Sequence, residues 1–122
     1  MPEPDLAGLV HLLVRRGPDG QGLWCAGPVG LGHTLLWTLP ESAPGRLPHA
    51  CALSGCVITG DVRLDNRDPL LAALGGGVER REACDEQLVL EAYLAWGEAC
   101  VDHLRGDFAF VIWDPRQRRL FG

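Results

Sequence analysis

Residues 107–114 read DFAFVIWD, a short apolar run rich in aromatic and β-branched residues and held between two aspartates. It is far shorter than the ~18 residues of a membrane span, and no run in the chain approaches that length. Its composition predicts a strand. DPRQRR then predicts a turn, and LFG the start of a returning strand. A return of three residues leaves half a hairpin without a partner, and an open strand edge is an aggregation liability. The expectation is therefore that these residues are the front part of something longer.

The remaining segments alternate helix and strand patterns. Leu6, Leu9, Val10, Leu13 and Val14 recur at helical spacing, predicting a helix over about 5–15 ended by Gly17-Pro18. His11 lies on or beside that apolar stripe, where packing is expected. Leu23 to Cys25 and Val29 to Leu36 read as strands around a Gly27-Pro28 turn. Residues 38–49 carry three prolines and a glycine and read as a surface loop. CALSGCVITGDVRL holds two apolar runs split by Ser54-Gly55, a hairpin signal, with a bend expected at Thr59-Gly60-Asp61. DNRDPLLAALGGG predicts a short helix with Asp68 as N-cap and Pro69 in its first turn. Residues 85–96 predict an amphipathic helix capped by Asp85 and closed by Gly97, followed by a helical turn to His103. The class is α+β.

Several kinds of chemistry are excluded. The net charge is -5 and the arginines are scattered apart from Arg116, Arg118 and Arg119, so no concentrated basic face is expected for nucleic acid. All eleven basic residues are arginine, which removes Schiff-base and P-loop lysine mechanisms. RRGPDGQG (15–22) and Gly75-Gly76-Gly77 follow predicted helices and lack a Lys-Ser/Thr pair, so they read as a turn and a helix stop. The N-terminus MPEPDLAGLVHLLVRR puts acid before its apolar stretch, unlike a secretory signal. With an odd count of five cysteines this predicts reduced thiols, a cytoplasmic location and no membrane partner. His49-x-Cys51-x4-Cys56 lacks a fourth ligand and is read as core cysteines, with no metal site expected. The serines are Ser42 and Ser54, in a loop and a turn, and no Ser/His/Asp grouping is marked. His33 and His103 are unremarkable, and Asp102 and Asp107 read as a solvated turn around Arg105-Gly106.

The order of segments is more specific than any one of them. RRGPDGQG, GPVGLGH, ITGDVRLDNRDPLLAALG and CDEQLVLEAYLAWGEACVDHLRGDFAFVIWDPRQRRLF together resemble the class II glutamine amidotransferase domain of asparagine synthetases and their relatives. The resemblance covers about residues 5–122. It implies an N-terminal-nucleophile hydrolase fold, an αββα sandwich of two antiparallel sheets between helical layers. The family's first strand is missing ahead of the opening helix, so the sandwich is expected to be incomplete at both ends. Residues 1–122 then form a single partial domain, with the synthetase (ATP-pyrophosphatase) domain absent.

In that family an N-terminal cysteine thiolate attacks the glutamine amide with its own α-amino group as base. The ammonia reaches an ATP-using domain and attacks an adenylated aspartate. Residue 2 here is Pro2, and the five cysteines lie too far inside the chain to carry a free α-amino group. The arginine that grips the glutamine carboxylate should fall near His33-Thr34-Leu35, where none stands. The family's Asn-Gly pair aligns with Thr59-Gly60 and its following acid with Asp61. The aspartate for the substrate amino group aligns with Asp85, which also reads as a plain helix cap. Gly60, Asp61 and Asp85 are thus the expected remnant of a glutamine pocket, with no catalytic residue. Two explanations for the losses stand side by side: a coding start truncated of its cysteine strand, and degeneration, which alone accounts for the internal substitutions. No cofactor is expected in this chain, since ATP and magnesium belong to the synthetase half and its SGG-x-D-S loop is not present. Glutamine at most is the small-molecule ligand, and a synthetase domain in cis or trans is the expected partner. The implied role is that of an asparagine synthase (glutamine-hydrolysing)-type domain, inactive as a glutaminase. The alternative is a non-catalytic scaffold or interaction domain of a lasso-peptide cyclase or β-lactam synthetase-like enzyme.

Overall fold

A computed structural model describes residues 3–16, 20–35, 47–75 and 83–122. They fall into two compact units, residues 1–48 and 49–122. In the first, helix α1 (Glu3–Leu12) precedes an antiparallel pair, β1 (Gly20–Ala26) and β2 (Val29–Leu35), joined through Gly27-Pro28. Among its described residues Leu6, Val10 and Leu31 are buried. The helical stripe is narrower than its spacing suggests: Leu9 and Leu13 are exposed, and the helix gives way to a turn at residue 13. His11 is also exposed, contrary to the expected packing role. One residue past Val10, it is rotated by about 100° off the buried line of a 3.6-residue helix. The Gly17–Asp19 part of the RRGPDGQG turn, most of the Pro-rich loop and Gly76-Gly77 lie outside the described residues.

The second unit holds a four-stranded antiparallel sheet in the order β3 (His49–Ala50), β4 (Val57–Leu64), β5 (Gly106–Asp114), β6 (Arg119–Phe121). Helix α2 (Arg67–Ala73) follows β4. Helix α3 (Asp85–Trp96) continues into a 3-10 helix (Gly97–His103) that leads into β5. Gly97, at φ 62°, makes the change of axis at the end of α3, a conformation that costs other residues more. The sequence pattern of the β5–β6 hairpin holds, and β6 pairs only with Ile112–Asp114. Among the described residues no strand covers the β6 side of Gly106–Val111.

Two local readings are corrected. β4 does not bend at residues 59–61; it pairs with β5 in unbroken register from Val57↔Trp113 to Leu64↔Gly106. Helix α2 takes Asn66, not Asp68, as N-cap. Pro69 is compatible with either start, because the first turn of a helix needs no intrahelical amide donors.

The core lies between α3 and one face of this sheet. Ile58, Val62 and Leu64 of β4 pack with Leu88, Val89, Ala92 and Tyr93 of α3, with Leu70 and Leu71 of α2, and with Ile112 of β5. Full burial of each large aliphatic side chain stabilises the fold by ~1.5–3 kcal/mol.

A carboxylate enters this core. Asp114, at the end of β5, has no exposed surface. Its carboxylate accepts from Tyr93 Oη at 2.8 Å, from the Arg116 backbone amide at 3.0 Å, and from Arg116 Nε and Nη2, both at 3.1 Å. A buried carboxylate is tolerated only with this degree of pairing. The network ties α3 to the β5–β6 turn. The Arg116 hydrogen bonds, with help from Tyr93, hold the Asp114 carboxyl well below the usual range against the opposing effect of burial. Burial, then the bond to Asp114, pushes Tyr93 up to about 12.

Because the folded state depresses Asp114, its contribution is present above the unfolded carboxylate pKa and is lost as the pH falls. Chemical denaturation of the parent chain across pH should show stability declining below about pH 4, and Asp114→Asn should flatten that limb. Tyr93→Phe, which leaves Arg116 in place, should cost about 1 kcal/mol.

Candidate functional site

Strand β3 meets β4 over two residue pairs, His49↔Ile58 and Ala50↔Val57, while β4 runs on to Leu64. Amides alternate between the two edges of an antiparallel ladder, so those of Gly60, Val62 and Leu64 point toward the β3 side beyond the end of β3. The N-terminus of α3 lies along that edge. Asp85 Oδ2 accepts from the Leu64 amide at 3.0 Å, and the Val62 amide acts to lower the pKa of the adjacent Glu86 carboxyl. Two consecutive acids in the first turn thus face this strand edge, Asp85 capping the Leu64 amide, where they also meet the positive end of the helix.

Asp85 is not the helix cap. Cys84 holds that position, with its side chain accepting from the amide of Gln87 and the Gln87 side chain accepting from the Cys84 amide at 3.0 Å. Gln87 Nε2 then contacts His49 Nδ1 at 3.2 Å, fixing the helix start to the edge strand. Cysteine is outside the usual N-cap set, so composition pointed one residue too late. Freed from capping, Asp85 Oδ1 pairs with Arg67 Nη1 at 2.5 Å, and Arg67 Nη2 donates to the Ala83 carbonyl at 2.7 Å. Both side chains are partly exposed, 21% for Asp85 and 31% for Arg67.

Glu86 is a residue of this edge that sequence reasoning missed, and its only signal was adjacency to Asp85. Burial raises its carboxyl pKa above the ordinary value, outweighing the amide and Cys84 hydrogen bonds that act the other way. Arg67 carried no sequence signal at all, since its partner lies on another element.

The three expected pocket residues are only partly brought together. Gly60 shares the amide edge with Leu64 but lies four residues back, about 13 Å along the strand. Its missing side chain is a packing requirement: a Cβ there would overlap the Ala109 carbonyl and the Phe110 backbone on β5. Asp61 is exposed on the opposite face of β4 from the α3 core, opposite Ala109 in the register. Asp85 therefore shares the edge with the Gly60 amide, while Asp61 stands apart from both. Thr59, like Asp61, points away from the α3 face and is buried. Among the described residues no three His, Cys, Asp or Glu side chains group as a metal ion would require.

Residues 2–121 match the model of the glutamine amidotransferase domain family. The chain belongs to the class II glutamine amidotransferase domains of the asparagine synthetase family. It is 38% identical, over 93% of its length, to an asparagine synthetase [glutamine-hydrolyzing] 3 of Bacillus subtilis, covering 19% of that protein. It is 32% identical to a putative asparagine synthetase [glutamine-hydrolyzing] of Mycobacterium bovis, over 95% of this chain and 19% of the relative. An amidase, chry2, of Gibberella zeae is 30% identical over 95% of this chain and 18% of that protein. The chain thus spans about a fifth of the length of the curated relatives it matches. The two antiparallel sheets and three α-helices of the described residues agree with the α+β class expected of this amidotransferase domain. No helix among the described residues is long and apolar enough to cross a membrane.

Gly60→Ala should destabilise this amidotransferase domain by about 1–3 kcal/mol through overpacking against β5. Urea denaturation checks it, and an unchanged midpoint would show that β5 gives way to the added methyl.

Proposed function

We propose that this chain is a glutamine-binding amidotransferase domain of an asparagine synthetase-type protein, built on the N-terminal-nucleophile hydrolase sandwich, and that its 122 residues do not hydrolyse glutamine by themselves. The carrying observation is the edge of β4: an amide at Gly60 and a carboxylate at Asp85, in a chain whose family match runs from residue 2 to 121. In this reading Asp85 pairs with the ammonium group of glutamine, whose carboxamide extends along the edge in the direction of the Gly60 amide. Each Asp85 oxygen keeps a further lone pair beside its present partner. Glu86 adds negative charge next to the ammonium.

What these residues lack is a nucleophile with its base. Cys25, Cys51, Cys56, Cys84 and Cys100 are all internal, so none carries the α-amino group that would accept the thiol proton. Cys56 and Cys100 are fully buried, and burial raises both thiol pKa values. Thr59 replaces the amide side chain beside Gly60, which removes one donor for a developing oxyanion. In this reading amide formation, with ATP and magnesium, takes place on a synthetase domain in cis or trans, in the cytoplasm, and no residue described here serves those groups.

The purified chain incubated with glutamine should release no glutamate above a protein-free blank. Calorimetry should show glutamine binding that Asp85→Asn weakens at least tenfold, a loss of ~1.4 kcal/mol. Cysteine-dependent glutamate release would overturn the inactivity. Absence of glutamine binding by the folded parent chain would overturn the pocket in favour of the scaffold reading.

A further inference from the structure

The β3–β4 hairpin carries two cysteines that the amidotransferase reading does not use. The register His49↔Ile58 and Ala50↔Val57 brings Cys51 opposite Cys56 as the next pair. The Cys51 amide donates to the Cys56 carbonyl at 2.8 Å, so the ladder extends to that pair. Residues directly opposite in an antiparallel ladder share a face, and at such a hydrogen-bonded position their Cα atoms are about 5.5 Å apart. That lies inside the ~4.4–6.8 Å window of a disulfide. Residues 52–55 turn the chain between them, closed by the Gly55 amide donating to the Cys51 carbonyl at 2.8 Å. The Ser54 hydroxyl accepts from the Cys56 amide at 3.1 Å.

The two thiols differ in the way a stepwise exchange requires. Both are free, Cys51 partly exposed and Cys56 fully buried. Hydrogen bonding from the Ser54 hydroxyl lowers the Cys51 pKa, with help from the Ser54 and Leu53 amides. Burial raises that of Cys56. Cys51 is the accessible thiol with the larger thiolate fraction, and Cys56 is a partner shielded from reagents.

We propose that Cys51 and Cys56 are a reversible oxidation site, closed to a cross-strand disulfide by low-molecular-weight disulfides of the glutathione type. The Cys51 thiolate attacks one sulfur of the reagent, forming a mixed disulfide and releasing one thiolate. Cys56 then attacks the Cys51 sulfur, its proton passing to the second departing thiolate. The balance is one dithiol and one small disulfide giving one cyclic disulfide and two small thiols. Opposite positions in one ladder bring the two Cα atoms within disulfide reach, so closure needs no change of register between β3 and β4.

Tryptic cleavage after Arg46 and Arg63 yields a peptide, residues 47–63, that contains these two cysteines and no other. The native chain is treated with glutathione disulfide, acid-quenched, unfolded, alkylated and mapped by mass. The peptide is expected two hydrogens lighter than the dithiol, unalkylated, and restored by dithiothreitol. Cys56→Ser should trap glutathione on Cys51, and Cys51→Ser should lose reaction at Cys56. Circular dichroism checks that both variants fold, and the parent chain alone decides if they do not. A stable glutathione adduct on Cys51 of the parent with Cys56 still alkylated would overturn the proposal. So would first oxidation at Cys25, Cys84 or Cys100, or closure seen only in unfolded protein.

Discussion

β3 is too short to cover β4, and the organisation of the second unit follows from how that deficit is filled. A strand edge with unpaired amides is unstable in water-poor surroundings, so an acceptor has to come from elsewhere. Here the first turn of α3 supplies one, Asp85 at Leu64. The helix is thereby fixed against β4 before its apolar face is considered. Leu88, Val89 and Ala92 then fall onto the sheet by helical periodicity. The same device creates the candidate site, because a carboxylate that satisfies a strand amide also presents charge on the edge that carries the Gly60 amide.

At its other end the helix is held by a different carboxylate. Tyr93 reaches Asp114, which is also gripped by Arg116 and so fixes the β5–β6 turn. Tyr93 stacks on Phe121 of β6 with ring centroids 5.6 Å apart, and Trp96 stacks on His103 at 3.8 Å. Paired acids at both ends and apolar packing between them leave α3 one position on the sheet. The polar contacts set position more than they add stability, since burying a carboxylate consumes most of what its hydrogen bonds return.

Much of this was legible along the chain because the signals are local. The hairpin over residues 106–121, the Gly97 helix stop and the Gly27-Pro28 turn depend on neighbouring residues only. The misreadings came where two local signals competed. Gly60 suggested a bend, but β5 holds β4 straight and the glycine serves close cross-strand contact with Phe110. Asp85 suggested a cap, but Cys84 and Gln87 form it, and Asp85 is drawn to a strand amide and Arg67. Arg67 was invisible for the same reason: it acquires its role from Asp85, a partner roughly twenty residues away in sequence.

The sequence by itself determined the class of the chain, the order of its elements and its family, because turn residues, periodicity and motif order are properties of contiguous segments. It also decided that no internal cysteine can act with its own α-amino group, which is a matter of covalent position. Only the tertiary structure decided that Asp85 and Gly60 share one strand edge while Asp61 faces the other side, and that Cys51 stands opposite Cys56. Those relations depend on register and on which face of a strand a residue occupies. Register is set by long-range pairing, in which a shift of one residue reverses every side chain.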